Sequence, residues 1–466
     1  MARGKKKEST LTPEEKLAQT LVPVEEQPYM VPENWCWANL GSYIDYATDY
    51  VANGSFASLK ENVKLYKEEN YALMVKTADF ANGFTESLTY TDEHGYNYLS
   101  KSVLTGGELI LSNIGSIGKV FRVPYFNCPM TLASNSVMIK CHDELDYDWL
   151  YYFFLSPIGL EELLSITTGT AMLKFNKTDL KGIALPIPPK TEQQRIVDRI
   201  DYLFAKLDEA KEKAQSVLDS FETRKAAILH KAFTGELTAK WRAEHGLDMG
   251  SWATRSLKNC GSWYGGGTPS TTHPEYWENG TLLWITSKDM KSDLIEDTLM
   301  HTTMLGVENS SANYIEEPAV LFVMRSGILR RTFPVCMVKK PFTVNQDLKA
   351  LVPNDIDLEY LFWACKAAEK EILEKCMKSG TTVESINASA LQNFLIPVAG
   401  KEEQSEIVHI LDSLFAKEQQ AKDAAEAVLE KIELLKKSIL ARAFRGELGT
   451  NNPNEESAIE LLKQVL

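Results

Sequence analysis

Apolar residues recur in a four-then-three spacing along two stretches of the chain. In the first stretch Ile196, Ile200, Leu203, Leu207, Ala210, Ala214, Val217, Phe221 and Ile228 keep the spacing, which is broken only at Arg224. In the second, Ile407, Leu411, Leu414, Ala421, Ala425, Val428, Ile432, Leu435 and Ile439 keep it, with Glu418 where Leu207 stands in the first. That period lines one side of an α-helix with apolar side chains and predicts a coiled-coil seam. At 1.5 Å per residue each helix would run about 65 to 70 Å. A helix with a single stripe cannot bury it alone, so the two are expected to pack on each other. Antiparallel packing is expected, because parallel packing would make the intervening chain travel back along the whole helix. Each stretch ends in Gly-Glu-Leu (Gly235 to Leu237, Gly446 to Leu448), where glycine takes the left-handed conformation that stops a helix.

The two stretches are copies. Glu192 to Leu237 returns as Glu403 to Leu448, an offset of 403 − 192 = 211, without a gap and with 23 identities; average composition would give roughly three. A repeat fixes architecture before any local reading. The offset reaches back into the preceding blocks: Gly169-Thr170, Asn176, Leu180 and Pro186 meet Gly380-Thr381, Asn387, Leu391 and Pro397. Asp146 with Trp149 to Tyr152 meets Asp357 with Tyr360 to Trp363, each read as a short helix. Further back the blocks diverge, so the scaffold is shared and the surface is not. Each block carries short β-like runs (Glu108 to Leu111, Lys119 to Val123, Ser136 to Lys140; Leu282 to Ile285, Val320 to Met324, Pro334 to Val338), punctuated by Gly, Pro, Asn and Ser. Helical segments close each block, which makes an α+β pattern. The expected division is an extension over 1–34 with a short helix, a block over 35–190, a helix over 191–237 and a linker over 238–251. A second block over 252–400, a helix over 401–448 and a terminal helix over 449–466 follow.

Composition narrows the class. With 466 residues, 44% apolar and 24% charged, the chain reads as an ordinary soluble protein of two or three domains. No run reaches the ~18 apolar residues of a bilayer span. MARGKKKEST at the start lacks the apolar core of a secretory signal, so a cytoplasmic location is expected. Seven cysteines stand singly, without a C-x-x-C pair, and read as buried thiols. A net charge of −14 argues against binding nucleic acid through the whole surface, but leaves room for local basic patches. One runs from Arg325 to Lys340 with Arg330, Arg331 and Lys339; another is the terminal Arg3, Lys5, Lys6 and Lys7, read as a solvated tail.

Catalytic motifs are missing. Gly118-Lys119 lacks the glycine spacing of a phosphate loop, and Gly265-Gly266-Gly267 leads into Thr268-Pro269 rather than a cofactor-binding helix. No H-E-x-x-H or N-P-P-[YF] string occurs, and Cys141-His142 is a lone pair. No catalytic residue and no metal site are indicated. Asp143, Glu144, Asp146 and Asp148 could hold Mg²⁺ in a self-contained nuclease, but they precede a helix and suit its N-terminal dipole. A purely structural coiled-coil adaptor is a further alternative, although it needs no pair of elaborate, differing β-rich blocks.

A divergent block, the Pro-rich joint LPIPPKTEQQ from Leu185, a long heptad helix and a terminal A-F-x-G-E-L recur twice. In that combination the chain resembles the specificity subunit of type I restriction-modification systems over essentially its whole length. Gly266 to Ser270 (G-G-T-P-S), Trp284 to Met290 (W-I-T-S-K-D-M) and Ser379 to Thr382 (S-G-T-T) resemble strings of that family's target-recognition domains. The resemblance implies two such domains held apart by two antiparallel helices in a pseudo-two-fold, circular arrangement. Each domain would read one half of a split double-stranded DNA site, with two methyltransferase subunits docked on the helices. It also implies that this chain carries no cofactor. S-adenosylmethionine would sit on the modification partner, and ATP and Mg²⁺ on a restriction and translocase partner.

Because the blocks differ, the expected target is bipartite and asymmetric, and the helices would set its spacer. Phosphate contacts need Lys, Arg, Ser, Thr and backbone N–H groups, while base reading favours Arg or Lys on guanine and Asn or Gln on adenine. On that chemistry the DNA-binding candidates are Ser55, Lys60, Asn113, Ser116, Lys119, Thr170 and Lys174 in the first block. In the second they are Thr268, Ser270, Ser287, Lys288, Arg325, Arg330, Arg331 and Thr381. For each Ser and Thr the competing reading is local turn chemistry. LTPEEKLAQTL at Leu11 and ESAIELLKQVL at Glu456 read as short amphipathic helices, packed on each other or on a partner methyltransferase.

Overall fold

The structure, a computed structural model, describes residues 12–142, 145–378 and 383–466. The chain divides into two compact units: residues up to Lys213 together with Val428–Leu466, and residues Ala214–Ala427. Each unit holds one block and a part of each long helix.

In the first unit a four-stranded sheet has the order Ile44–Asp49, Ser136–Cys141, Leu109–Ser112, Val120–Arg122, with antiparallel neighbours throughout. A second sheet runs Tyr90–Thr91, Ala72–Val75, Met130–Leu132, Val103–Leu104, and its central pair is parallel. In the second unit the corresponding order is Gly261–Gly265, Leu348–Pro353, Ala319–Val323, Val335–Val338, extended by Leu294–Ile295. Leu282–Ile285 lies parallel to Phe342–Val344 as in the first block. The repeat seen in the helices therefore extends through both sheets, although the loops have diverged. Strands such as Leu109–Ser112 and Ala319–Val323 are buried at every position. Their continuous apolar runs fit interior strands covered on both faces.

The second long helix is continuous over Lys401–Ala443, but the first is two helices, Lys190–Asp219 and Phe221–Phe233. This corrects the expectation of one uninterrupted helix. Ser220 Oγ donates back to the Ser216 carbonyl at 2.7 Å, a competing bond that bends helices, and the counterpart in the second copy is Lys431. Both copies stop where expected: Gly235 and Gly446 are left-handed, with φ +82° and +72°. Glycine is required at the second of these for space as well, since a Cβ on Gly446 would lie 2.5 Å from Pro32 Cγ.

Within each unit the helix segments run antiparallel. In the first, Lys211 meets Glu433 at 3.1 Å, Lys436 meets Asp208 at 2.6 Å, and the Lys436 ammonium lies 5.0 Å from the Phe204 ring. In the second, Arg224 Nε donates to Glu418 Oε2 at 2.8 Å, and the Lys225 ammonium lies 5.6 Å from Phe415. Lys225 and Phe415 are the 211-offset counterparts of Lys436 and Phe204, so both units use the same cation–ring contact. The two residues that break the heptad, Arg224 and Glu418, are each other's partners.

Each long helix starts from a buried Glu-Gln pair tied to the block before it. Trp35 Nε1 donates to Glu192 Oε2 at 2.8 Å in the first unit, and Trp252 Nε1 to Glu403 Oε2 at 2.8 Å in the second. Gln193 accepts from Tyr43 Oη at 2.7 Å, and Gln404 from the Asp357 N–H at 2.9 Å. The tail after each helix completes the pair in its own unit. Asn451 Nδ2 reaches Glu192 Oε2 at 2.8 Å, while Arg242 Nη1 and Thr238 Oγ1 reach Glu403 Oε1, both at 2.5 Å. In the first unit Pro13–Thr20 packs against Ala458–Val465, with Lys16 Nζ 2.7 Å from the Leu466 carbonyl oxygen. The two terminal segments thus pack on each other, the first of the two expectations for them. The basic run Arg3, Lys5, Lys6 and Lys7 lies outside the described residues.

Candidate nucleic-acid interface

The first block's strands end at one rim. Asp49 lies opposite Val137, Ser112 opposite Ser136, and Leu111 opposite Val120. The loop 113–119 leaves this rim, and residues 168–175 are stitched to it. The Gly115 N–H donates to the Leu173 carbonyl at 2.9 Å and the Phe175 N–H to the Asn113 carbonyl at 3.2 Å. Ser116, Lys119, Thr170 and Lys174 are thereby brought together on adjoining exposed loops. Asn113 shares the place, but its Oδ1 is buried without a hydrogen-bond partner. Ser55 caps the helix Phe56–Asn62, accepting from the Ser58 N–H at 3.3 Å, and Lys60 is exposed in that helix's last turn. Lys60, Lys119 and Lys174 make no ion pair with any described residue, so their charge faces solvent.

The second block has the same rim: Gly265 opposite Lys349, Val323 opposite Leu348, Phe322 opposite Val335. Three segments leave it: the G-G-T-P-S loop, the turn 345–347 and the stretch 324–334. The glycines of that loop have a steric reason. A Cβ on Gly266 would lie 2.1 Å from the Val344 carbonyl oxygen, and one on Gly267 2.4 Å from Ser311 Oγ. The loop is pressed against the turn, and Thr268 Oγ1 donates to Gln346 Oε1 at 2.6 Å. Ser270 Oγ lies 2.8 Å from Thr272 Oγ1. Ser287 and Lys288 sit in a turn closed by Asp289, whose Oδ2 accepts from the Thr286 N–H at 2.8 Å. That turn adjoins the rim, because the Asn345 N–H donates to the Ile285 carbonyl at 3.0 Å.

The basic stretch Arg325 to Lys340 does not form one patch. Arg325 Nε donates to Asp347 Oδ1 at 2.7 Å and Arg330 Nε to Glu384 Oε1 at 2.5 Å, both at the loop end. These side chains are 57% and 68% exposed, so most of each guanidinium's donors still face solvent. The Arg330 bond holds the Glu384 carboxyl below its ordinary range. Arg331 turns elsewhere, into a cleft with Glu222, Lys225 and Leu229 of the first long helix and with Lys366 and Glu369. Lys339 and Lys340 follow the strand Val335–Val338 to the opposite end of the sheet. There Lys339 meets Glu359 at 2.5 Å and Lys340 Nζ meets the Glu296 carbonyl at 2.7 Å. Thr381 lies outside the described residues.

Of the acidic run, Asp143 and Glu144 also lie outside the described residues. Asp146 caps the helix Tyr147–Leu155, accepting from the Asp148 and Trp149 N–H groups at 2.7 and 3.2 Å, and Asp148 pairs with Arg122. These carboxylates serve the helix start and an ion pair. Among the described residues no group of His, Cys, Asp and Glu has metal-binding geometry, and no helix is long and apolar enough to cross a membrane. Six cysteines are buried and Cys128 is exposed.

Two β-rich blocks of one topology, each offering a loop-bearing rim and each rooted on a long helix, define a duplicated recognition scaffold. The family model for the type I restriction modification DNA specificity domain matches residues 50–218 and again 249–430. The chain belongs to this family of type I restriction-modification specificity subunits. It is 39% identical over 159 residues to the Escherichia coli EcoR124I/EcoR124II specificity subunit, across 34% of this chain and 39% of that one. To the EcoKI specificity subunit of E. coli K12 it is 22% identical across 93% of this chain and 95% of that one. Among solved structures, the HsdS subunit of Thermoanaerobacter tengcongensis shares the fold, with a TM-score of 0.59 at 19% identity, over 91% of this chain and all of that one. A chain from a study of complex assembly and conformational transition in the type I R-M system matches with TM-score 0.64 at 19% identity, over 90% of this chain and all of that one.

Proposed function

We propose that this chain is the DNA-reading scaffold of a type I restriction-modification complex, that its two blocks read the two halves of an asymmetric bipartite site, and that the paired helices set the spacer. One observation carries this reading: the blocks share strand order and rim but present different chemistry there. Exposed Lys119 and Lys174 stand at the first rim; a glycine-pressed Thr268 loop with Arg325 and Arg330 stands at the second. Identical readers would call for a two-fold symmetric target, and these are not identical. Ser116, Thr170, Ser270, Ser287 and Lys288 belong to the same surfaces, as phosphate or base contacts. The helices dock two methyltransferase subunits, which supply S-adenosylmethionine chemistry; ATP and Mg²⁺ chemistry belongs to restriction and translocase subunits.

The experiment is binding of the purified complex to a duplex containing both half-sites, against duplexes with either half scrambled. Loss of affinity on scrambling each half, persisting at moderate salt, is the expected result. Affinity indifferent to one half would contradict the bipartite reading. Cleavage of DNA by this chain alone with Mg²⁺ would contradict the scaffold reading.

A further inference from the structure

At the second rim one side chain is held as a base reader would have to be held. Gln346 is exposed at the tip of the turn joining Phe342–Val344 to Leu348–Pro353. The backbone around it is pinned on three sides. Asn345 N–H donates to the Ile285 carbonyl at 3.0 Å, Gly267 N–H to the Val344 carbonyl at 2.9 Å, and Met324 N–H to the Asp347 carbonyl at 2.7 Å. Two of these bonds recur in the first block, where the Ala133 N–H donates to the Val75 carbonyl at 2.9 Å and the Asn113 N–H to the Asn135 carbonyl at 3.3 Å. The tip is therefore a fixed part of the scaffold with a variable residue on it: Ser134 and Asn135 in the first block, Gln346 and Asp347 in the second.

The side chain is oriented as well. Thr268 Oγ1 donates to Gln346 Oε1 at 2.6 Å, which leaves one lone pair on Oε1 and both Nε2 hydrogens without a partner among the described residues. A free acceptor beside free donors on one rigid amide is the pattern that matches adenine N6–H and N7 in the major groove. Arg325, tied to the neighbouring Asp347, places positive charge beside the tip for the phosphate backbone. We infer that Gln346 reads an adenine in the half-site taken by the second block, with Thr268 positioning its amide. The inference rests on the DNA-reading function proposed above and names a residue for it.

The test uses the assembled modification complex and measures competition by duplexes in which each base of the recognised site is changed in turn. For Gln346→Ala, discrimination should fall roughly 10- to 100-fold at a single A·T pair in one half, with the other half unchanged. Gln346→Glu keeps only acceptors, so preference at that same pair should move from adenine toward cytosine, whose N4 group donates. Thr268→Val should relax the same pair by a smaller factor, because the amide then rotates freely. A uniform loss of affinity on all duplexes with a shallower salt dependence would mean a phosphate contact and would overturn the inference. Unchanged discrimination in all three variants would also overturn it. If the unmodified complex shows no bipartite preference, the underlying DNA-reading function fails instead, a result distinct from either.

Discussion

Glu403 and Arg242 form a buried pair, 1% and 5% exposed, with Trp252 and Thr238 satisfying the remaining carboxylate positions. Removing one member of such a pair leaves an uncompensated charge in the interior. Arg242→Ala should therefore destabilise the chain by about 3–5 kcal/mol, whereas the double change Arg242→Met with Glu403→Gln should cost less; urea denaturation measures both. Glu192, the counterpart, is hydrogen-bonded by no arginine among the described residues; Trp35, Asn451 and Thr450 meet it, while Arg195 is turned onto Glu455. Burial pushes its carboxyl above the ordinary range, against the pull of those hydrogen bonds and of Arg195. Because the folded state then holds the proton at higher pH than the unfolded state, this group's contribution to stability falls as pH rises between the ordinary and the raised value. Glu192→Gln should flatten that part of the stability profile. None of these partnerships is legible in sequence. Trp35 and Asn451 are separated from Glu192 by 157 and 259 positions, and only folding brings them together. Ser55 shows the same limit, since its hydroxyl caps a helix as well as fitting a phosphate contact.

At the level of elements, the long helices were legible because a heptad is a local signal. Ile196, Ile200, Ala214, Ile407, Leu411, Ala425 and Ile432 are buried as the spacing requires. Val428 and Leu435, at 42% and 40% exposure, fit the spacing but not the burial. Arg224 and Glu418 stood out in sequence as faults in two separate patterns, and pairing turns both into one contact. Their counterparts are Leu435 and Leu207, so one repeat pair is apolar where the other is ionic. Replacing Glu418 alone by Leu should cost about 1 kcal/mol, while Arg224→Leu with Glu418→Leu should be close to neutral, with a double-mutant cycle giving the coupling. The break at Ser220 was not legible, because a hydroxyl that bonds back to Ser216 leaves the apolar spacing intact. The six strands read from the sequence lie within a residue or two of their observed positions, but others, such as Ile44–Asp49 and Leu348–Pro353, were not read. The parallel pairing of Ala72–Val75 with Met130–Leu132 was not, because it joins residues far apart in the chain.

Over the whole molecule, duplication is the feature that sequence states most plainly and that both units repeat in strand order, helix start and cation–ring contact. The rims explain why conserved geometry can carry divergent information. Their backbones are fixed by bonds that recur in both copies, while the residues displayed there, such as Asn135 against Asp347, are free to differ. If the helices set the spacer, removing matched heptads from both should shorten it by about three base pairs, since seven helical residues span about 10 Å and each base pair about 3.4 Å. The most direct measurement is long-read mapping of methylated adenines in DNA from cells carrying this chain with its modification partner. The expected result is a bipartite, asymmetric motif with a fixed spacer, which changes length in the heptad-deleted variant or disappears with it. A continuous or palindromic motif, or no modified motif despite an intact partner, would contradict it.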